Sequence, residues 1–178
     1  MWLYFKIGLI ALAIMVLLAF DISALIALVS AAPWAPTRKK AFAAILRLAK
    51  LKPGQVVYEL GSGDARVTEL LAQTGARVVA FEYSLLPYLV SRWKIKHRKL
   101  TGVELKYQNF FTADFSQADL IYCYLTPYAM KKLTSKFMAE LKPGTKIISF
   151  QFPLPQWPAQ SVDQSFSGQA KIYLYQKN

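Results

Sequence analysis

A run of 23 residues from Ile7 to Val29 contains only one ionisable side chain, that of Asp21. At a rise of about 1.5 Å per residue, a helix of this length crosses a hydrocarbon core about 30 Å thick. A carboxylate at the centre of such a helix costs about 2.5–3.5 kcal/mol, whereas each Leu, Ile, Val or Phe side chain returns roughly 0.3–0.6 kcal/mol. Because apolar residues dominate the run, we predict one transmembrane helix within residues 1–32, spanning about residues 7–29.

The charges beside this run predict its orientation. Arg38, Lys39 and Lys40 follow it, whereas Lys6 alone precedes it. Since positively charged flanks stay in the cytoplasm, we expect a single-pass membrane protein whose C-terminal domain is cytoplasmic and whose span contacts the lipid bilayer. A cleaved signal peptide is the main alternative, but it requires a basic start and a shorter apolar core. A buried core helix is less favoured, because the run is apolar on all sides.

The remaining residues are strongly basic. From Ser30 onward the chain has 21 of its 22 Lys and Arg residues and nine of its 10 Asp and Glu residues, so this part carries the whole net charge of +12. Such charge suits the surface of an anionic membrane, and nucleic acid is the rival partner. A single cysteine, Cys123, excludes an internal disulfide and any cysteine-rich metal site, so we predict no metal.

Strands and helices alternate after residue 54. Apolar strands are predicted at residues 55–60, 77–81, 104–108, 120–125 and 146–152, with helices between them at 64–73, 86–99 and 128–141. Strands that lack polar alternation and are separated by helices favour a parallel sheet covered on both faces. The predicted fold class is therefore α/β and doubly wound, with one domain over residues 55–178.

The segment before this domain and the C-terminal end of the domain have sequence patterns that differ from the alternation of strands and helices. Residues 33–54 predict a proline-rich connector and then a helix from Arg38 to Lys50, with Thr37 as its N-cap. Near the C-terminus, residues 161–166 and 171–176 are strand-like and are separated by Ser167-Gly168. This pair predicts a terminal antiparallel hairpin.

The segment most informative about function is Val-Tyr-Glu-Leu-Gly-Ser-Gly-Asp-Ala-Arg at residues 57–66, between the first strand and a helix. Its glycines let the backbone approach a ligand, and open parallel sheets bind ligands beyond the carboxyl ends of their strands. Glu82 ends the second strand, where a carboxylate can accept both hydroxyls of a ribose. A nucleotide or nucleoside ligand is therefore expected. NAD is disfavoured because position 66 is Arg where its motif requires a third glycine.

An acid before the first glycine gives this segment a more specific resemblance. It resembles motif I of the class I S-adenosylmethionine-dependent methyltransferases, with Ala65 in place of the last glycine. The resemblance implies a Rossmann-like methyltransferase fold and S-adenosyl-L-methionine as cofactor, with Glu59 near its methionine ammonium and Glu82 on its ribose. The full set of implied cofactor-binding residues is Glu59, Gly61, Ser62, Gly63, Asp64, Glu82, Tyr83, Asn109 and Phe110.

The segments at residues 33–52, 61–66, 81–84, 87–90 and 152–157 narrow the resemblance. Together they look like the small, single-span, membrane-anchored protein-lysine methyltransferases that modify the mitochondrial ADP/ATP carrier and the ATP synthase c subunit. This implies an N-methyltransferase that acts on a protein lysine, with a membrane protein as one candidate substrate. The alternatives are a methyltransferase for a lipid or small molecule at the membrane surface, and a non-enzymatic basic nucleic-acid-binding module.

Substrate contacts are expected after the fourth strand, where class I enzymes commonly place them. We predict that Tyr124, Thr126 and Pro127 position the lysine amine, although tyrosines of the core would fit this pattern equally well. The segment does not match the Asn-Pro-Pro-Tyr motif of many amino-group methyltransferases. Elsewhere, Arg92, Lys96 and Lys99 share one helical face, which could meet phosphate headgroups or simply be solvated.

Overall fold

The computed structural model describes residues 2–29, 35–166 and 170–178, and in the first of these ranges it describes the side chains of residues 2–18 and Asp21. The α-helices are α1 (Trp2–Val29), α2 (Phe42–Ala49), α3 (Arg66–Ala72), α4 (Leu85–His97) and α5 (Pro127–Glu140). The strands are β1 (Val56–Leu60), β2 (Arg77–Glu82), β3 (Val103–Tyr107), β4 (Leu120–Cys123), β5 (Lys146–Phe150), β6 (Ser161–Asp163) and β7 (Ile172–Gln176). Short 3-10 turns lie at Lys39–Ala41 and Phe110–Thr112.

The described strands form one seven-stranded sheet with the order β3-β2-β1-β4-β5-β7-β6. Strands β1 to β5 are parallel, and β7 is antiparallel to both β5 and β6. The strand order reverses between β1 and β4, and ligands bind at such a switch point, beyond the carboxyl ends of the strands. The predicted doubly wound α/β fold is confirmed.

The predicted terminal pairing is confirmed, but its place in the sheet differs from a simple edge hairpin. Strand β7 pairs with β6 through Asp163 opposite Ile172 and with β5 through Phe150 opposite the same residue. Strand β7 therefore lies inside the sheet, between β5 and β6. The predicted turn at Ser167-Gly168 lies outside the described residues.

Both faces of the sheet are covered by helices. On one face, α2 and α3 bury Ile45 and Leu71 against the sheet. On the other face, α5 buries Leu133 and Phe137 against Phe115 and neighbouring apolar side chains. Burial on both faces is the reason that the central strands read as continuous apolar runs rather than alternating ones.

The connector before α2 corrects one prediction. Thr37 does not cap a helix, because a 3-10 turn intervenes, its N-cap is Arg38 with no side-chain hydrogen bond, and the α-helix begins only at Phe42. The Thr37 side chain is buried instead, and its hydroxyl forms a 2.8 Å hydrogen bond with the Tyr122 hydroxyl on β4. The connector is therefore held against the end of the sheet.

Helix α1 presents apolar side chains to solvent. Leu9, Met15 and Leu17 are all more than half exposed, and so are the other large apolar side chains between residues 2 and 18. Within the part of the chain that the structure describes, no helix is both long and apolar enough to cross a membrane.

Candidate active site

A pocket opens at the carboxyl ends of β1, β2 and β4, at the switch point of the sheet. About 560 Å³ of space free of protein atoms lies within it, and this figure includes the open solvent at its mouth. The pocket is lined by the connector, the glycine turn after β1, the end of β2, the start of α4 and the end of β4. Its lining residues with polar side chains are Thr37, Glu59, Ser62, Asp64, Arg66, Glu82, Ser84, Tyr122 and Tyr124.

The turn after β1 forms the floor of this pocket. Gly61 and Gly63 have φ angles of +84° and +58°, a left-handed conformation that favours glycine. The amides of Gly61 and Ser62 both donate to the Phe81 carbonyl at 2.9 Å, which fastens the turn to β2. Ala65 is also left-handed, with φ of +57°, although its methyl group costs roughly 1–2 kcal/mol in this conformation. The alanine therefore keeps the backbone shape of the usual glycine, but with strain.

Glu82 lies directly above the turn. Its Oε2 accepts a hydrogen bond from the Gly63 amide at 3.0 Å, and its Oε1 accepts from the amides of Tyr83 and Ser84 at 2.9 and 2.8 Å. Burial raises the pKa of this carboxyl, although the backbone amides oppose the shift. The carboxylate is thus fixed in position at the wall of the pocket.

Glu59 is the second acid of the pocket, and its side chain is only 2% exposed. The pKa of Glu59 is raised to about 8, mainly by burial and also by the charges of Asp64 and Glu82, whereas a hydrogen bond donated by Thr68 opposes the shift. No ion pair to Glu59 is present among the described residues. A positive charge brought into the pocket would therefore stabilise the ionised form.

The negative charge of Asp64 is offset by Arg66 of the same chain. Arg66 binds its carboxylate through two nitrogens, with the Nη2 atom 2.7 Å from Oδ2 and the Nε atom 2.9 Å from Oδ1. Burial by itself raises the pKa of Asp64, but the bonds from Arg66 outweigh burial and hold it below its usual range. Arg66 also donates to the Thr37 carbonyl at 3.2 Å, so the connector, the glycine turn and α3 are tied together.

Helix α4 supports the turn from the other side. The Ser91 hydroxyl donates to the Gly63 carbonyl at 2.9 Å and lies 3.2 Å from the Ser62 hydroxyl. Pro87, one turn earlier on α4, and Ser84, the residue just before the helix, line the pocket. The inner side of α4 therefore belongs to the site.

The chemistry of these residues fits S-adenosylmethionine. The cofactor carries a sulfonium and an ammonium cation, and the pocket offers Glu59 without a cationic partner among the described residues. Its ribose hydroxyls require an acceptor, and Glu82 is a fixed carboxylate at the end of β2. When bound, the cofactor supplies an electrophilic methyl group. The task of the chain is then to hold both reactants and to exclude water.

The structure brings together six of the nine predicted cofactor residues. Glu59, Gly61, Ser62, Gly63, Asp64 and Glu82 line the pocket. Three others lie outside its lining: Tyr83 is 42% exposed and stacks on Tyr107, the Asn109 side chain accepts from the Phe111 amide, and Phe110 is buried in the core. Their contacts with the cofactor stay predictions.

The predicted substrate residues are also divided. Tyr124 lines the pocket, and its ring meets Phe150 edge-on with centroids 4.8 Å apart. Thr126 accepts a hydrogen bond from the Ala129 amide at the start of α5, and Pro127 is the first residue of that helix. Neither of these two residues lines the pocket. No group of metal-binding side chains occurs among the described residues.

Sequence reasoning missed several residues of the site. Tyr122 reads as an ordinary strand residue, and Ser91 as an ordinary helix residue. The sequence predicts only a helix cap for Thr37. No local signal marks these positions, because their partners are far along the chain. In the sequence, Arg66 stands out only as the residue in place of a glycine of the NAD motif, and its pairing with Asp64 gives it a structural role.

The family of the chain follows from comparison with known proteins. The family profile described as the ANTKMT methyltransferase domain matches residues 59–161, which include the glycine turn, Glu82 and the end of β4. The chain belongs to the ANTKMT methyltransferase family. Its fold, its enzyme class and its cofactor, predicted from motif I, are thereby confirmed.

Two curated relatives carry the resemblance beyond the matched domain. The chain is 29% identical over 148 residues to a protein-lysine N-methyltransferase from Saccharolobus islandicus, covering 80% of this chain and 92% of the relative. It is 30% identical over 135 residues to the mouse adenine nucleotide translocase lysine N-methyltransferase, covering 74% of this chain. The alignment spans 57% of the mouse protein, so it covers little more than half of that enzyme.

A solved structure supports the cofactor. An RNA methyltransferase from Salinibacter ruber, in complex with S-adenosyl-L-homocysteine, superposes with a TM-score of 0.73 and 30% sequence identity. The match covers 80% of this chain and 93% of that protein. This chain is therefore an S-adenosylmethionine-dependent methyltransferase with a Rossmann-like fold.

Proposed function

We propose that this methyltransferase transfers methyl groups to the side chain of a protein lysine. The observation that carries the proposal is the carboxylate pocket of Glu59 and Glu82, set in a chain that resembles named protein-lysine methyltransferases over most of its length. The relatives' names state their substrates, and this chain retains the domain that they share.

The side of the pocket formed by the end of β4 suits a lysine. Tyr124 and Leu125 line it, and the ring of Tyr124 is held by Phe150. Apolar and aromatic walls accommodate the aliphatic stem of lysine and favour the uncharged amine, which is the nucleophilic form. No strong base is required of the chain, because the amine can lose its proton to water before attack.

We also propose that residues 7–29 anchor the enzyme in a membrane, with the catalytic domain on the cytoplasmic side. The support is the apolar run in the sequence, the exposed apolar side chains of α1 between residues 2 and 18, and the three basic residues at positions 38–40. The substrate named for the mouse relative, the adenine nucleotide translocase, makes a membrane protein the first substrate class to test.

The reaction is tested with cofactor carrying a tritiated methyl group. The full chain is incubated with the membrane fraction of its own cells, which is then separated into protein, lipid and RNA. We expect label in protein, and several-fold less label when Glu82→Ala replaces the wild type at a cofactor concentration below the wild-type Kd. Label confined to lipid would contradict the proposal and favour the lipid methyltransferase.

RNA is a second candidate substrate. The observation in its favour is the 30% identity to the RNA methyltransferase, together with the net charge of +12. If label appears in the RNA fraction with the wild type and several-fold less appears with Glu82→Ala, RNA rather than a protein lysine is the substrate.

Membrane anchoring is tested separately by extraction. A chain held by a span stays in the membrane pellet at high salt and in alkaline carbonate, and only detergent releases it. Release by salt alone would show that the basic domain adheres by charge and that residues 7–29 do not span the bilayer.

A further inference from the structure

The outer side of α4 combines exposed apolar and basic side chains. At 100° per residue, five of its residues fall within about 100° of arc, on the side opposite Ser84, Pro87 and Ser91. We call these five residues the α4 outer face: Leu85, Leu89, Arg92, Trp93 and Lys96.

The apolar members of this face are unusually open to solvent. Trp93 is 64% exposed, and Leu85 and Leu89 are each 45% exposed. The Trp93 ring stacks on His97 with centroids 4.9 Å apart, so its orientation is fixed along the helix surface. A tryptophan among leucines and basic side chains on one helical face is typical of a helix lying in the headgroup layer of a membrane.

The charges of α4 fall into two groups. Lys94 and Arg98 each lie 3.3 Å from Glu69 on α3, so this acid offsets part of their charge. Among the described residues, no carboxylate forms an ion pair with Arg92 or Lys96. The α4 outer face is therefore an uncompensated positive surface, which complements an anionic lipid headgroup.

The position of α4 links this face to both the anchor and the pocket. Helix α1 contacts α4, so the apolar helix lies beside the helix that carries the α4 outer face. On its other side, Pro87 of α4 and the N-cap residue Ser84 line the pocket. A bilayer against the α4 outer face would thus bring the active site close to the membrane surface.

We propose that the α4 outer face lies in the headgroup layer of an anionic bilayer and sets the orientation of the catalytic domain on the membrane. This is a second membrane contact, beyond the anchoring proposed for residues 7–29, because an anchor alone leaves the domain free to turn. The orientation restricts substrates to lysines that lie near the membrane surface.

The test places a fluorescent probe on the full chain in lipid nanodiscs that contain phosphatidylglycerol. The native Cys123 is buried and is not expected to be labelled, so a new cysteine takes up the probe. Leu89→Cys carries it on the α4 outer face, and Gln117→Cys carries it on an exposed loop elsewhere in the domain as a matched control. Lipids with a nitroxide near the headgroup quench a probe that lies in that layer.

We expect quenching at position 89 at least three times that at position 117, and a loss of this difference in discs of phosphatidylcholine alone. Equal or absent quenching at position 89 in a chain that remains in the disc would overturn the α4 contact and leave the anchor intact. If the chain does not enter discs, the proposal that residues 7–29 anchor it is wrong. Binding to phosphatidylglycerol vesicles then tests the α4 contact, which is supported if the chain binds and overturned if it does not.

A charge variant separates lipid from other partners. Arg92→Glu with Lys96→Glu should abolish the quenching at position 89 and the vesicle binding, whereas the same charge change at Lys131 and Lys132 on α5 should leave both unchanged. Cofactor binding should be unaffected in both variants, since none of these residues lines the pocket. Retained quenching in the α4 variant, with loss of RNA binding instead, would overturn the proposal in favour of nucleic acid.

Discussion

The amide of Gly63 donates a hydrogen bond to the Glu82 carboxylate across 3.0 Å, and this bond joins the glycine turn after β1 to the end of β2. The same carboxylate accepts from the amides of Tyr83 and Ser84. Because its position is set by the backbone, little ordering is needed when a ligand arrives. Such preorganisation strengthens binding by lowering its entropic cost.

The first prediction concerns this carboxylate. Glu82→Ala removes the acceptor of three amides and the expected ribose contact, so the affinity for S-adenosylmethionine should fall at least tenfold, or about 1.4 kcal/mol. Calorimetric titration measures the change. Glu104→Ala on β3 is the matched control, since its ion pairs with Arg77 and Lys106 are exposed and lie outside the pocket. Equal affinities in the two variants would exclude Glu82 from the cofactor site.

The second prediction is a pH dependence of cofactor binding. Burial raises the pKa of Glu59 to about 8, and a bound cation favours the ionised form, so binding should lower this pKa and release a proton. Affinity should therefore rise between pH 6 and pH 8, by up to about tenfold per pH unit. Titrations in two buffers with different heats of ionisation count the released protons. In Glu59→Gln the affinity should be weaker and independent of pH in this range, and an unchanged slope would refute the linkage.

The third prediction concerns stability without cofactor. The pKa of Glu59 is higher in the folded chain than its usual 4.5, so the folded state holds more protons between about pH 5 and pH 8. Its stability should fall as the pH rises through this window. Glu59→Gln removes the effect and should raise the free energy of unfolding at pH 9 by roughly 2–5 kcal/mol, with little change at pH 4.5.

Chemical denaturation at the two pH values checks this stability difference. Glu104→Gln, an exposed substitution, serves as the control and should leave the pH dependence unaltered. A Glu59→Gln chain that is less stable than wild type at pH 9 would show that the ionised carboxylate stabilises the fold, contrary to the argument from burial.

The fourth prediction concerns the bond between Thr37 and Tyr122. Each of Thr37→Val and Tyr122→Phe leaves one buried hydroxyl without its partner, so each should cost about 1–3 kcal/mol. The double variant should cost less than the sum of the two, with a coupling energy of about 1 kcal/mol. Denaturation of all four chains measures the coupling. Strict additivity would mean that this bond does not hold the connector.

The sequence predicts the parts of the fold that depend on local patterns. Alternating apolar strands and helices predict β1 to β5 to within a few residues, and the spacing of Glu59, Gly61 and Gly63 locates the pocket. These signals are local because a strand needs only its own apolar residues and a turn needs only its own glycines.

Other features depend on contacts between distant residues, and the sequence does not predict them. Thr37 and Tyr122 are 85 positions apart, so their bond can only be seen once the sheet has placed β4 beside the connector. In the same way, the pattern of the last two strands predicts that they pair but not that β7 also pairs with β5. Asn109 follows β3 as the resemblance requires, yet its side chain accepts from the Phe111 amide two residues later.

The most direct test of the account is to identify the methylated residue. Membrane protein labelled by the full chain with tritiated cofactor is hydrolysed to amino acids, and the hydrolysate is separated against methylated standards. The account predicts label in N-methylated lysine for the wild type and several-fold less for Glu82→Ala when the cofactor concentration is below the wild-type Kd. Label in a methylated amino acid other than lysine, or equal lysine label with Glu82→Ala, would contradict it.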